Sequence, residues 1–131
     1  MTQSKTSIIV AATTGLLLGV VPAKTETALQ VEAFCRRLGN QDLNQNGTIN
    51  IPGTYESGFC WGAFAAFQTL GAMMRDDGIM MIGFCAPPES TRLQYVKIFM
   101  HYMSEHPEQV HMPFEKVALV ALYEAFPCKK S

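Results

Sequence analysis

Four cysteines, Cys35, Cys60, Cys85 and Cys128, constrain this chain more than any other feature. What they can do depends on compartment, and the N-terminus speaks to that. Residues 1–7 carry a single cationic side chain, Lys5, and residues 8–21 (IIVAATTGLLLGVV) are uncharged and mostly apolar. Val21-Pro22-Ala23 then puts small residues where a signal peptidase reads, which predicts a signal peptide over residues 1–23 cleaved after Ala23. A bilayer core needs about 20 apolar residues, and this run is too short and contains two threonines and two glycines. The glutamate, alanine and phenylalanine before Cys35 form no lipidation signal. The expected mature chain, residues 24–131, is therefore exported to the periplasm without membrane attachment, where disulfides form and persist.

With 131 residues the chain holds one domain, and 48% hydrophobic against 16% charged residues excludes both disorder and a coiled coil. Ten Lys+Arg against eleven Asp+Glu leave no electrostatic footprint for nucleic acid or an anionic membrane.

Helical periodicity recurs along the expected mature chain. Thr27-x-x-Gln30 is a capping box, after which Val31, Phe34, Cys35 and Leu38 form one apolar stripe and Gly39-Asn40 stops the helix. Residues 41–56 are polar, with turn dipeptides at Asn46-Gly47 and Pro52-Gly53. Ser57 suits the N-cap of a second helix whose stripe is Cys60, Phe64, Phe67, Gly71 and Met74, ending at Arg75-Asp76-Asp77-Gly78. Residues 79–85 (IMMIGFC) fit either a buried extended segment or a piece of helix. A second capping box, Thr91-x-x-Gln94, opens a helix apolar nearly all round, with only Gln94, Lys97, His101 and Ser104 as a polar seam. Such a helix is central, in its own bundle or in one a partner chain completes. Pro107 and Pro113 each suit a first helical position, and the last helix runs from Phe114 toward Ala125. The expected fold is all-α, a small bundle of about four helices.

If consecutive helices pack antiparallel, a Cys35–Cys60 bridge closes the polar loop and a Cys85–Cys128 bridge clamps the far end of the last helix pair. Four cysteines allow three connectivities, and the spacing leaves the other two open. With no C-x-x-C and no histidine at ligand spacing, structural disulfides are expected rather than a metal site or a reactive thiol.

No catalytic constellation and no cofactor motif is present. His101, His106 and His111 lie five apart, which does not bring them onto one helical face, so no metal site is expected there. Asp42-x-Asn44-x-Asn46-Gly47 imitates a calcium loop, but its twelfth position is Gly53 instead of an acidic ligand, so a turn is expected. Eight methionines hint at a greasy binding surface, though methionine at helical spacing more often fills a core.

The C-terminal half is more specific. Phe84-Cys85-x-Pro87, Thr91-x-x-Gln94, Tyr102, Glu105-His106-Pro107-Glu108 and Ala121-Leu122-x-Glu124-Ala125-Phe126-Pro127-Cys128 together resemble the Rap/Tai family of immunity proteins for type VI secretion amidases. Cys60-Trp61-Gly62 and Cys35 fit the same pattern, although residues 63–67 depart from it. The resemblance implies a small exported helical protein, non-catalytic, a homodimer, that blocks a cognate peptidoglycan-hydrolysing effector. The proline-bounded connection from Ser104 to Met112, with Glu105, His106, Glu108 and His111, is the expected partner-binding protrusion. The competing reading is an envelope helical-bundle protein that binds another client and has no immunity role.

Overall fold

The computed structural model describes residues 24–129; the expected signal peptide, residues 1–23, lies outside the described residues. Four α-helices follow one another: α1 (Ala28–Gly39), α2 (Tyr55–Gly71), α3 (Arg92–Glu105) and α4 (Phe114–Ala125), with one 3-10 turn at Pro107–Gln109. The all-α, four-helix expectation holds.

Both capping boxes form. Thr27 and Thr91 each accept the backbone N–H three residues on, while the side chains of Gln30 and Gln94 accept from the cap residues' own N–H groups. These bonds satisfy N-terminal donors that an α-helix leaves orphaned. α3 is central, as its nearly continuous apolar surface requires: it packs against α1, α2 and α4. The core it organises is aromatic. Phe114 meets Phe99 edge-on at 5.3 Å between ring centroids and touches Phe64 and Phe67 at 5.7 and 5.8 Å. Edge-to-face pairs of this kind add about 0.5–1.5 kcal/mol beyond their buried area.

Both disulfides anticipated from helix order are present: Cys35–Cys60 with Cα atoms 5.3 Å apart and Cys85–Cys128 at 4.9 Å. The first is buried between α1 and α2, whereas Cys128 is exposed at the molecule's edge. No cysteine is left as a free thiol.

Four expectations are corrected. The second helix begins three residues before Ser57 would allow: Thr54 is the N-cap, its hydroxyl accepting from the Ser57 N–H, and Ser57 is buried inside the first turn. It ends at Gly71, so Met74 leaves the predicted core stripe and stands exposed. Gly71 packs closely against the Phe84 ring, and the chain turns away from the core there. Residues 79–85 are neither a buried strand nor helix; only Phe84 of them is buried. Pro113 sits one place earlier than expected, as the N-cap of α4, and Pro107 does begin the 3-10 turn.

Candidate partner-binding surface

The 104–112 connection is built from the end of α3 and tied to the start of α1. The α1 backbone N–H groups of Ala28 and Leu29 donate to the carbonyls of Met112 and Val110 at 2.9 and 3.0 Å, and the Phe114 N–H donates to Glu26 at 3.0 Å. Loop carbonyls thus satisfy donors that would otherwise be orphaned at a helix start, and this holds the loop in place. Tyr102 underpins it: the His106 ring stacks on the Tyr102 ring at 4.1 Å, and Gln109 Nε2 donates to the Tyr102 hydroxyl at 2.9 Å.

Three of the four sequence-predicted residues lie close together. Glu105 faces His101 at 3.4 Å across one helical turn, and His106 Nδ1 lies 3.1 Å from Glu108 Oε1. Glu108's own backbone N–H, at the start of the 3-10 turn, and then the His106 ring hold its carboxyl below the ordinary glutamate range. His111 lies beyond the 3-10 turn, exposed. Glu105, Glu108 and His111 face solvent and His106 is half-buried on Tyr102, and these four side chains define the ridge. A groove of about 230 Å³ opens beside it between α3 and α4, bordered by Ile98, His101, Glu105 and Glu124.

At the other end of α3, the polar loop after α1 folds over the α2–α3 junction. Gln41 closes its base by donating to the carbonyls of Arg37 and Asn50 and accepting from the Asn50 N–H. Lys97 pairs with Asp42 at 2.7 Å and holds that carboxyl below the ordinary aspartate range. The calcium-like segment is a turn, as expected: Asn44 Oδ1 accepts the N–H groups of Asn46 and Thr48. Beneath it lies a cleft of about 400 Å³ lined by Leu43, Ile49, Ile51, Leu93 and Trp61, with the Arg92 guanidinium 4.7 Å above the Trp61 ring.

One feature escaped the sequence reading. Residues 72–83 form a short hairpin in which Arg75 N–H donates to Ile79 O and Met81 N–H to Met73 O, bridging Met74 to Met80. The signal was available: the short polar run Arg75-Asp76-Asp77-Gly78 between Met73-Met74 and Ile79-Met80-Met81 is a hairpin signature. Gly78 takes the positive φ of 78° that such a turn demands.

Among the described residues no group of three or more histidine, cysteine or acidic side chains is placed to hold a metal ion. No helix there is long and apolar enough to cross a membrane. The described surface carries a polar ridge, an apolar cleft and a hairpin.

The model of a family described as Rap1a immunity proteins matches residues 41–128, from the loop after α1 to the last cysteine. No curated protein and no solved structure matches the chain. Helix α1 precedes the matched region, yet Cys35 within it is bonded to Cys60 inside the match, so it belongs to the same folded unit. Two thirds of the chain, including α2, α3, α4 and three of the four cysteines, thus follow one family's pattern, and the chain belongs to the Rap1a immunity protein family.

Proposed function

We propose that this chain is a non-catalytic periplasmic immunity protein that binds and inhibits a cognate peptidoglycan amidase delivered by a type VI secretion system. Membership of the immunity family carries this reading. The signal-like segment of residues 1–23 exports it, residues 24–131 form the immunity domain, and the active form is a homodimer. Inhibition is by occlusion: the ridge of Glu105, His106, Glu108 and His111 enters or covers the effector's cleft. Its backbone is already fixed to α1, so docking costs little ordering entropy.

Periplasmic co-expression with a candidate peptidoglycan amidase effector is the direct test: lysis of the host stops if the reading holds and continues if it fails. Charge reversal of the ridge, Glu105→Lys with Glu108→Lys, is expected to weaken effector binding at least about tenfold. The melting temperature falls only by the small contribution that Glu108 makes through its own backbone N–H and His106, because both carboxylates are exposed. Unchanged affinity removes the ridge from the interface.

A further inference from the structure

The calcium-like turn of the loop after α1 carries chemistry of its own. Of the chain's four asparagines, Asn40, Asn44, Asn46 and Asn50, only Asn46 precedes a glycine. Asn44 is built into the turn: its Oδ1 accepts the N–H groups of Asn46 and Thr48 at 2.9 and 3.0 Å, and its Nδ2 donates to the Thr48 hydroxyl at 2.7 Å. Asn46 beside it is exposed, and among the described residues its side-chain amide enters no hydrogen bond. The Gly47 nitrogen that follows is sterically bare, since a Cβ on Gly47 would meet nothing within 4 Å.

We propose that Asn46 is a self-modification site that converts to aspartate and isoaspartate without an enzyme, and that Asn44 sets the rate. The Gly47 nitrogen attacks the side-chain carbonyl carbon of Asn46, and the new C–N bond closes a five-membered succinimide. The side-chain nitrogen leaves as ammonia, taking the proton that the Gly47 nitrogen gives up. Water then opens one or the other carbonyl of the ring. One opening gives aspartate; the other routes the main chain through the side chain and gives isoaspartate. Water is the only co-reactant, and asparagine is thermolabile for this reason.

Asn44 is the brake. The Gly47 N–H donates to Asn44 O at 2.9 Å, and attack requires that bond to open. The Asn44 side chain keeps it closed by gripping the residues on either side, Asn46 and Thr48. Asp77-Gly78, the other acidic or amide residue before a glycine, is guarded more tightly. Its carboxylate is held by the Ile79 N–H and by Arg75, each at 3.1 Å, and a carboxylate is the poorer electrophile.

Isoaspartate lengthens the main chain by one carbon inside the turn. The paired bonds from Asn44 N–H to Thr48 O and from Gly47 N–H to Asn44 O then no longer close together. Gly47 and Thr48 border the cleft that Trp61, the chain's single tryptophan, also lines, so the change uncovers that ring.

The test incubates the mature chain warm in mildly alkaline buffer, which favours loss of the Gly47 amide proton, and follows residue 46 by peptide mass. The peptide should gain one dalton and separate into two forms. Asn46→Ser should gain nothing. Asn44→Ala should react about fivefold faster or more, since the turn loses at least one hydrogen bond that held it shut. Thr48→Val, which removes only the hydroxyl that Asn44 grips, is the milder variant and should shift the rate the same way. Acrylamide should quench Trp61 more readily in the aged wild type than in fresh protein or in aged Asn46→Ser. A wild-type chain whose residue 46 keeps its mass, or that reacts first at Asn40, Asn44 or Asn50, overturns the proposal. Asn44 and Thr48 variants no faster than wild type overturn the role of Asn44. A modified chain with Trp61 as shielded as before overturns the uncovering of the cleft.

Discussion

Gly71 shows how one residue sets a boundary. A Cβ there would lie 2.5 Å from two atoms of the Phe84 ring. That ring is fully buried and held by Tyr95 and Phe126 at 5.9 and 6.4 Å, so it cannot swing away. Gly71→Ala is therefore expected to lower stability by about 1–3 kcal/mol despite alanine's better helix propensity. Denaturant unfolding checks this, and adding Phe84→Leu should restore part of the loss through relief of the clash. Glu108 gives the fold a small pH dependence. Its folded-state pKa lies below the unfolded value, first through its own backbone N–H and next through His106. Such a group contributes stability above the unfolded pKa and loses it as pH falls through the lower folded value. The melting temperatures of wild type and Glu108→Gln should differ at neutral pH and converge in acid below the ordinary glutamate range. A gap that persists there would show that the carboxylate is not what orders the turn.

At the scale of elements, the caps decide where helices start. Thr91 and Gln94 exchange reciprocal bonds at the head of α3, the helix on which the other three pack. Thr91→Ala should cost about 1 kcal/mol of global stability, read by denaturant unfolding. Thr27→Ala should cost less globally, because the first N–H groups of α1 are already bonded to Met112 and Val110, and should instead loosen the 104–112 ridge. Faster hydrogen exchange at Ala28 and Leu29 would register that loosening. The α4 start has no side-chain cap at all, since Pro113 provides none. It is held by the bond from the Phe114 N–H to Glu26, a tertiary contact invisible to any local pattern.

The whole molecule depends on its two cross-links. Loops of 25 and 43 residues correspond to roughly 3.5 and 4 kcal/mol on the chain-entropy account. Against about 5–15 kcal/mol for a typical domain, either is a large share. Burial differs, however: Cys35 and Cys60 are fully enclosed, while Cys128 is exposed and Cys85 half-buried. Mild reductant under native conditions should open Cys85–Cys128 first, detected by mass after alkylation. The Cys35–Cys60 bridge should yield only on global unfolding. Simultaneous opening of both would mean that the outer bridge holds the whole bundle closed rather than one end of it.

The helices, the caps of α1 and α3 and the likeness to an immunity family were legible in the sequence because each rests on local signals: Thr27-x-x-Gln30, Thr91-x-x-Gln94, and apolar residues at helical spacing. Helix order even favoured the disulfide partners, since short connections between antiparallel helices bring Cys85 toward Cys128. What sequence could not settle was which apolar residues face inward. Met103 and Met74 are the same residue type, each at helical spacing from its neighbours, yet one is core and the other stands in water. In the folded chain α2 ends at Gly71, packed against the Phe84 ring, and residues 72–83 leave the core there. Periodicity records which side chains share a face; packing between distant segments decides whether that face has anything to meet.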